Sequence, residues 1–181
     1  MKLILDIETN GFLDVLDKIH CMVFKDIETQ KVYSYNPDQI NDGLNLLKKA
    51  TLIVGHSIMG FDLPAIEKVT GYKYEGEILD TLLCSRLIWS NMTEVDYAKK
   101  NLPPKLIGKH SIESWGYRLS LRKGDFQEHN TFDIWTKDMQ DYCERDVEVT
   151  YLLYKLIKKQ NYSEQAIKLE HDFAHWIIKQ E

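Results

Sequence analysis

The apolar run Leu3-Ile4-Leu5 ends in Asp6-Ile7, is too short for a helix, and predicts a buried central strand over 2–7. After the turn signal Asn10-Gly11, β-branched and aromatic residues fill 19–25 and 31–35 on either side of Asp26-Ile27-Glu28-Thr29, which is a hairpin pattern. Beyond Pro37 the spacing changes: Ile40, Leu44 and Leu47 share one helical face. A fully apolar strand over 51–54 then leads into Gly55-His56-Ser57, and Asp62 with Pro64 marks another helix start. A helix over 80–89 carries Leu82, Leu83, Leu87 and Ile88, whereas 101–108, with Pro103-Pro104, reads as loop. A short helix over 110–115 and a polar loop over 124–131 follow. The period is helical again over 136–159, and a last helix begins near 163 with Phe173, Trp176 and Ile177 on its apolar face. Strands first, then strands alternating with helices, then helices alone: the fold class is α/β, a mixed sheet with helices on its faces, in one domain over 1–181.

Composition narrows the class. At 181 residues the chain suffices for one ordinary domain with a substantial core. No stretch has the length of a membrane span, and the amino terminus lacks the pattern of a signal peptide, so a cytoplasmic location is expected. The three cysteines, Cys21, Cys84 and Cys143, are odd in number and widely spaced, which fits core residues better than disulfides or a structural zinc site. The net charge of −5 describes the whole surface. Locally, Lys99, Lys100, Lys105, Lys109, Arg118, Arg122 and Lys123 interleave with Trp115, Tyr117 and Phe126. That pattern suits a single-strand track and equally a solvated basic surface.

The chemistry lies in three acidic segments. Asp6 and Glu8, two apart at a strand end, point to one face while Ile7 points to the other. Asp62 follows a small polar loop and stands at a helix start, where it could be a ligand or an N-cap. Tyr142 and Asp146, four apart on a helix, are neighbours on one face, whereas Asp141, Glu144 and Glu148 are assigned to its solvated side. Four carboxylates and a tyrosine match two-metal phosphodiester hydrolysis, and oxygen donors favour two Mg²⁺ or Mn²⁺ ions.

In that order, Asp6-x-Glu8, Phe61-Asp62 and Tyr142-x-x-x-Asp146 resemble the motifs of tyrosine-type 3′–5′ exonucleases of the DEDD superfamily. The chain is similar in particular to the exonuclease domain of family A DNA polymerases of the phage replicative branch. Asp80-Thr81-Leu82, Ser85-Arg86-Leu87-Ile88 and 111–119 share in that likeness, as does the final stretch from Glu170-His171 to Gln180-Glu181. The resemblance implies a ribonuclease-H-like mixed central sheet flanked by helices, with removal of nucleotides from a DNA 3′ end during proofreading. By position, Asp6, Glu8 and Asp146 would hold one metal, and Asp6 would bridge to a second bound by Asp62. Tyr142, assisted by Glu8, would orient the attacking water. Thr9, Phe12 and Ser57 fall at substrate contacts. Ser57 and Gly60 depart from the asparagine and lysine often found in the family. The implied partners are a single-stranded DNA 3′ end and a polymerase domain or chain, which residues 163–181 would lead into, with no membrane; a phage origin would place it in the host cytoplasm. The readings that compete are a 3′–5′ exoribonuclease resembling ribonuclease D and a catalytically silent module binding nucleic acid or a polymerase.

Overall fold

A computed structural model describes residues 1–99, 102–121 and 132–178. The expected polar loop at 124–131 lies outside them, as do Lys100, Arg122, Lys123 and Phe126 of the basic stretch.

Among the described residues, five strands form one sheet in the order β3-β2-β1-β4-β5: β1 Lys2–Thr9, β2 Ile19–Asp26, β3 Val32–Tyr35, β4 Leu52–Gly55 and β5 Glu77–Asp80. β1 is antiparallel to β2 and parallel to β4, which is parallel to β5. The sheet is therefore mixed, as the pattern of elements predicts. Among the described residues its α-helices are α1 Ile40–Leu47, α2 Asp62–Thr70, α3 Thr81–Ile88, α4 Met92–Lys99, α5 Ile112–Arg118, α6 Lys137–Lys159 and α7 Glu164–Ile178.

Strand β5 and helix α4 are absent from the pattern read along the sequence. β5 is four residues long and mostly half-buried, too short for alternation to show. On α4 the buried residues are Met92 and Asp96, and one of these is an acid. A hydrophobic period cannot register it.

The central strand divides the core. Leu3, Leu5 and Ile7 of β1 join Met22, Phe24, Leu47 and Ile53 on one side. Ile4 faces the other way, with Cys21, Val23 and Val54 against Cys143, Val147 and Tyr151 of α6. Burial on both faces is why β1 begins as a continuous apolar run. By alternation, Asp6 and Glu8 fall on the α6 side.

Among the described residues, no helix is long and apolar enough to cross a membrane. α7 contains no fully buried residue; it packs along α3 and leaves Leu169, Phe173 and Trp176 exposed.

Candidate active site

Strand β1 supplies Asp6 and Glu8, α6 supplies Tyr142 and Asp146, and the first residue of α2 is Asp62. The register of β1 against β2 shifts between Glu8 and Thr9: Glu8 pairs with Cys21 and Thr9 with Ile19, so the ladder is irregular beside the second acid. Asp62 does not act as an N-cap: Phe61 holds that position, and Asp62 is the first helical residue. Its Oδ1 instead accepts the Ile7 N–H at 3.2 Å, tying the start of α2 to β1 between the two β1 acids.

The turn carrying Asp62 is built around Asp80. Gly55, the last residue of β4, leaves room for Ile58 to fold back over it: a Cβ there would lie 2.6 Å from Ile58 Cδ1. Ser57 then takes a left-handed φ of 63°. The buried Asp80 carboxylate accepts the N–H groups of Ser57 and Met59 at 3.0 and 3.2 Å while capping α3 through Leu82 N at 2.9 Å. One carboxylate thus sets both the turn and the next helix.

The acids crowd one another. Burial, then the charges of Asp62, Asp146 and Glu8, push the Asp6 carboxyl well above the ordinary range, against a hydrogen bond from Cys143. Burial likewise pushes Asp62 up to about 7, with Asp80 and Asp146 adding to it and hydrogen bonds, including that from Ile7 N, opposing. Burial, followed by Asp146, Glu8 and Asp6, drives the Tyr142 phenol far upward, so it keeps its proton. Carboxylates that destabilise one another's charge in a cluster of oxygen donors are what a hard divalent cation would relieve, and the donor set fits such ions.

A pH dependence follows. Asp6, Asp62 and Asp80 all have raised values when folded, so the metal-free fold holds protons that the unfolded chain releases near pH 4. Their contribution is complete below that range and is lost as pH rises through the folded values, near 7 for Asp62. Asp26 and Asp96 are shifted downward and act only in more acidic solution, while His110, lowered chiefly by burial, opposes the three acids in this window as a single group. In EDTA the protein is therefore expected to melt at a lower temperature at pH 8 than at pH 5, and Mg²⁺ should narrow the difference. A melting temperature independent of pH in EDTA would contradict the crowding.

Beside the acids, a cavity of about 260 Å³ is lined by Glu8, Thr9, Gly11, Phe12, Phe61 and Phe132. Phe12 is 79% exposed on a turn closed by Asn10, whose Oδ1 accepts Asp17 N and Lys18 N. Lys68 of α2 fastens that turn by donating to Leu13 O at 2.6 Å. Phe132 is held to β2 through its carbonyl, which accepts from His20 Nε2 at 2.8 Å. Neither Phe61 nor Phe132 stands out in sequence as a lining residue, since an isolated phenylalanine normally reads as core.

Ser57 is not in that cavity. It lines a separate hollow with His56, Arg86, Lys109 and His110. The basic stretch is also rearranged by folding. Trp115 is core, 2% exposed, and Arg118 is buried in an ion pair with Asp96, so neither is presented to a strand. Lys99, Lys105 and Lys109 remain at the surface. On α6, Glu148 pairs with the buried Lys25, and Glu144 accepts from Ser34 at 2.7 Å. Both engage the sheet edge-on while staying partly open to solvent, as their assignment to the solvated side of the helix expects.

The chain is 31% identical to the DNA-directed DNA polymerase of Escherichia phage T7, in an alignment of 224 residues covering 97% of this chain and 32% of the relative. It is equally 31% identical to that of Enterobacteria phage T3, with 99% and 32% covered. The chain spans about a third of the length of these curated relatives. Its structure is similar to the apo form of a nuclease, with a TM-score of 0.69 at 14% identity over 99% of this chain and 83% of that one. The catalytic core of RRP6 from Trypanosoma brucei matches with a TM-score of 0.66 at 11% identity, over 98% and 45%. The Nibbler EXO domain of Aedes aegypti gives 0.55 at 13% identity, over 88% and 78%. No protein-family model matches the chain. The structural likenesses establish the fold alone, a ribonuclease-H-like mixed sheet flanked by helices.

Proposed function

We infer that this chain, homologous over nearly its whole length to a part of the T7 and T3 phage DNA polymerases, is a two-metal-ion 3′–5′ exonuclease. Its substrate is the 3′ end of single-stranded or frayed DNA, and its setting is proofreading with a polymerase domain or chain in a host cytoplasm. The observation that carries this reading is the meeting of Asp6, Glu8, Asp62, Tyr142 and Asp146 beside a phenylalanine-lined cavity.

Asp6, Glu8 and Asp146 would hold one Mg²⁺ or Mn²⁺, and Asp6 with Asp62 the other. When bound, these ions supply charge stabilisation at the phosphate and make water a better nucleophile. The chain's own groups do the positioning. Tyr142, protonated and fixed one helical turn from Asp146, offers a hydroxyl to orient the attacking water, with Glu8 as its second partner. Its buried phenol suits hydrogen bonding to that water and not service as a base. Phe12 and the neighbouring Phe61 and Phe132 offer apolar faces to the terminal base, and Thr9 adjoins them. The turn between β4 and α2 contributes Phe61 to this cavity and Ser57 to the basic hollow, where Arg86 and Lys109 suit the phosphates of the preceding nucleotides.

The test is digestion of 5′-labelled single-stranded DNA and of its RNA counterpart with Mg²⁺, Mn²⁺ or EDTA. A DNA ladder shortening from the 3′ end with metal and absent in EDTA is expected. Preference for RNA would transfer the site to a ribonuclease, and no cleavage with either metal would overturn the reading. Tyr142→Phe is expected to lower kcat by about 10²-fold while Mn²⁺ binding measured by calorimetry persists. An unchanged kcat would remove the tyrosine from the chemistry.

A further inference from the structure

Cys143 reads in sequence as a core residue, yet the fold brings its thiol to the edge of the carboxylate cluster. Its single S–H is shared between Asp6 Oδ2 at 3.3 Å and Asp6 O at 3.4 Å. One donor atom from each of Asp6, Glu8 and Cys143 lies within 4.8 Å of the other two. These residues come from two elements packed face to face, β1 and α6, so their closeness is fixed by the core.

We propose that Cys143 makes this site selective for thiophilic divalent cations, Zn²⁺ and Cd²⁺, held by its sulfur together with the carboxylates of Asp6 and Glu8. The inference rests on reading the same cluster as a metal centre. Oxygen donors alone favour Mg²⁺ and Mn²⁺, whereas a sulfur donor shifts the preference to softer ions. The spacing suits this: tetrahedral zinc with Zn–S near 2.3 Å and Zn–O near 2.1 Å places sulfur and oxygen about 3.6 Å apart. The present separation of 3.3 Å needs only a slight opening. Binding exchanges the S–H bond for a sulfur–metal bond, and the proton leaves to solvent. The hydrogen bond to Asp6 is replaced by the shared cation, so both atoms remain satisfied. A soft ion would occupy Asp6 and Glu8 in place of the hydrolytic metal.

The probe is Cd²⁺ titrated into the full chain, read by the ultraviolet sulfur-to-cadmium charge-transfer band, with Zn²⁺ and Mn²⁺ affinities measured by calorimetry. The band is expected with one Cd²⁺ per chain, to persist in Cys21→Ala, and to vanish in Cys143→Ser and Cys143→Ala. The ratio of Zn²⁺ to Mn²⁺ affinity should fall on the order of tenfold or more in Cys143→Ser. Loss of structure alone would lower both affinities without changing their ratio. If neither Cys143 variant folds, a Cys21→Ala/Cys84→Ala chain decides, because Cys143 is then the sole cysteine among the original three. A missing band in that chain, a band surviving in Cys143→Ser, or an unchanged affinity ratio would overturn the proposal. Mg²⁺-dependent cleavage without a cadmium band would remove only the soft-ion preference. A band without any cleavage would leave it standing and remove the exonuclease reading.

Discussion

Alanine at both Asp6 and Glu8 is expected to lower hydrolysis from the 3′ end by on the order of 10⁴-fold or more, because the two residues serve one site and their loss is not additive. Asp6 alone would link the two metal positions, and Glu8 combines a ligand with a partner for the attacking water. The single Asp6→Ala change should therefore cost nearly as much as the pair. Stability is predicted to move the other way. Asp6 is held against burial and against the charges of three neighbouring acids. Removing it relieves Asp62 and Asp146, and in EDTA at pH 8 the double variant should melt at a higher temperature than the parent. Labelled-strand digestion and thermal denaturation read the two effects separately. Metal-dependent cleavage within tenfold of the parent would eliminate this cluster as the active site.

Asp96→Ala carries the largest expected loss of stability, about 3–5 kcal/mol, since it leaves a buried guanidinium without its counter-charge. Arg118 donates through Nε to Asp96 Oδ1 at 3.0 Å and through Nη2 to Oδ2 at 2.6 Å, a bidentate pair. The Asp96 side chain is fully buried, and that of Arg118 is nearly so. Oδ2 also accepts the Gly108 N–H at 2.9 Å, so the pair joins α4, α5 and the turn before Lys109 and His110. The Trp115 ring lies 4.9 Å from the guanidinium and closes the other side. Burial pushes the Asp96 carboxyl up, but Arg118 and Gly108 hold it below the ordinary range. Urea unfolding should show the loss, and Arg118→Met added to Asp96→Ala should restore part of it. A change below about 1 kcal/mol would mean that Arg118 finds water once its partner is gone.

The two motifs legible before folding are those whose geometry is local. Asp6 and Glu8 share a face because a strand alternates, and Tyr142 and Asp146 share one because a helix repeats. Both relations survive whatever the rest of the chain does. Elements with strong periods, such as β1 and α6, were equally readable. β5 was not, being too short, nor α4, whose buried side includes an acid paired with a residue 22 positions away.

What depends on which faces meet was settled by tertiary packing. The basic run promised Trp115 and Arg118 to a surface, but Asp96 and the core claimed them. Phe132 reached the cavity because His20 of β2 holds its carbonyl, 112 residues distant in sequence. Asp62 joined β1 through the Ile7 amide, and Cys143 reached Asp6 across 137 residues of sequence. The sequence by itself thus determined which carboxylates share an element and point together. The packing of α6 on β1 decided which other groups share their site, because local periodicity carries no information about the opposing face.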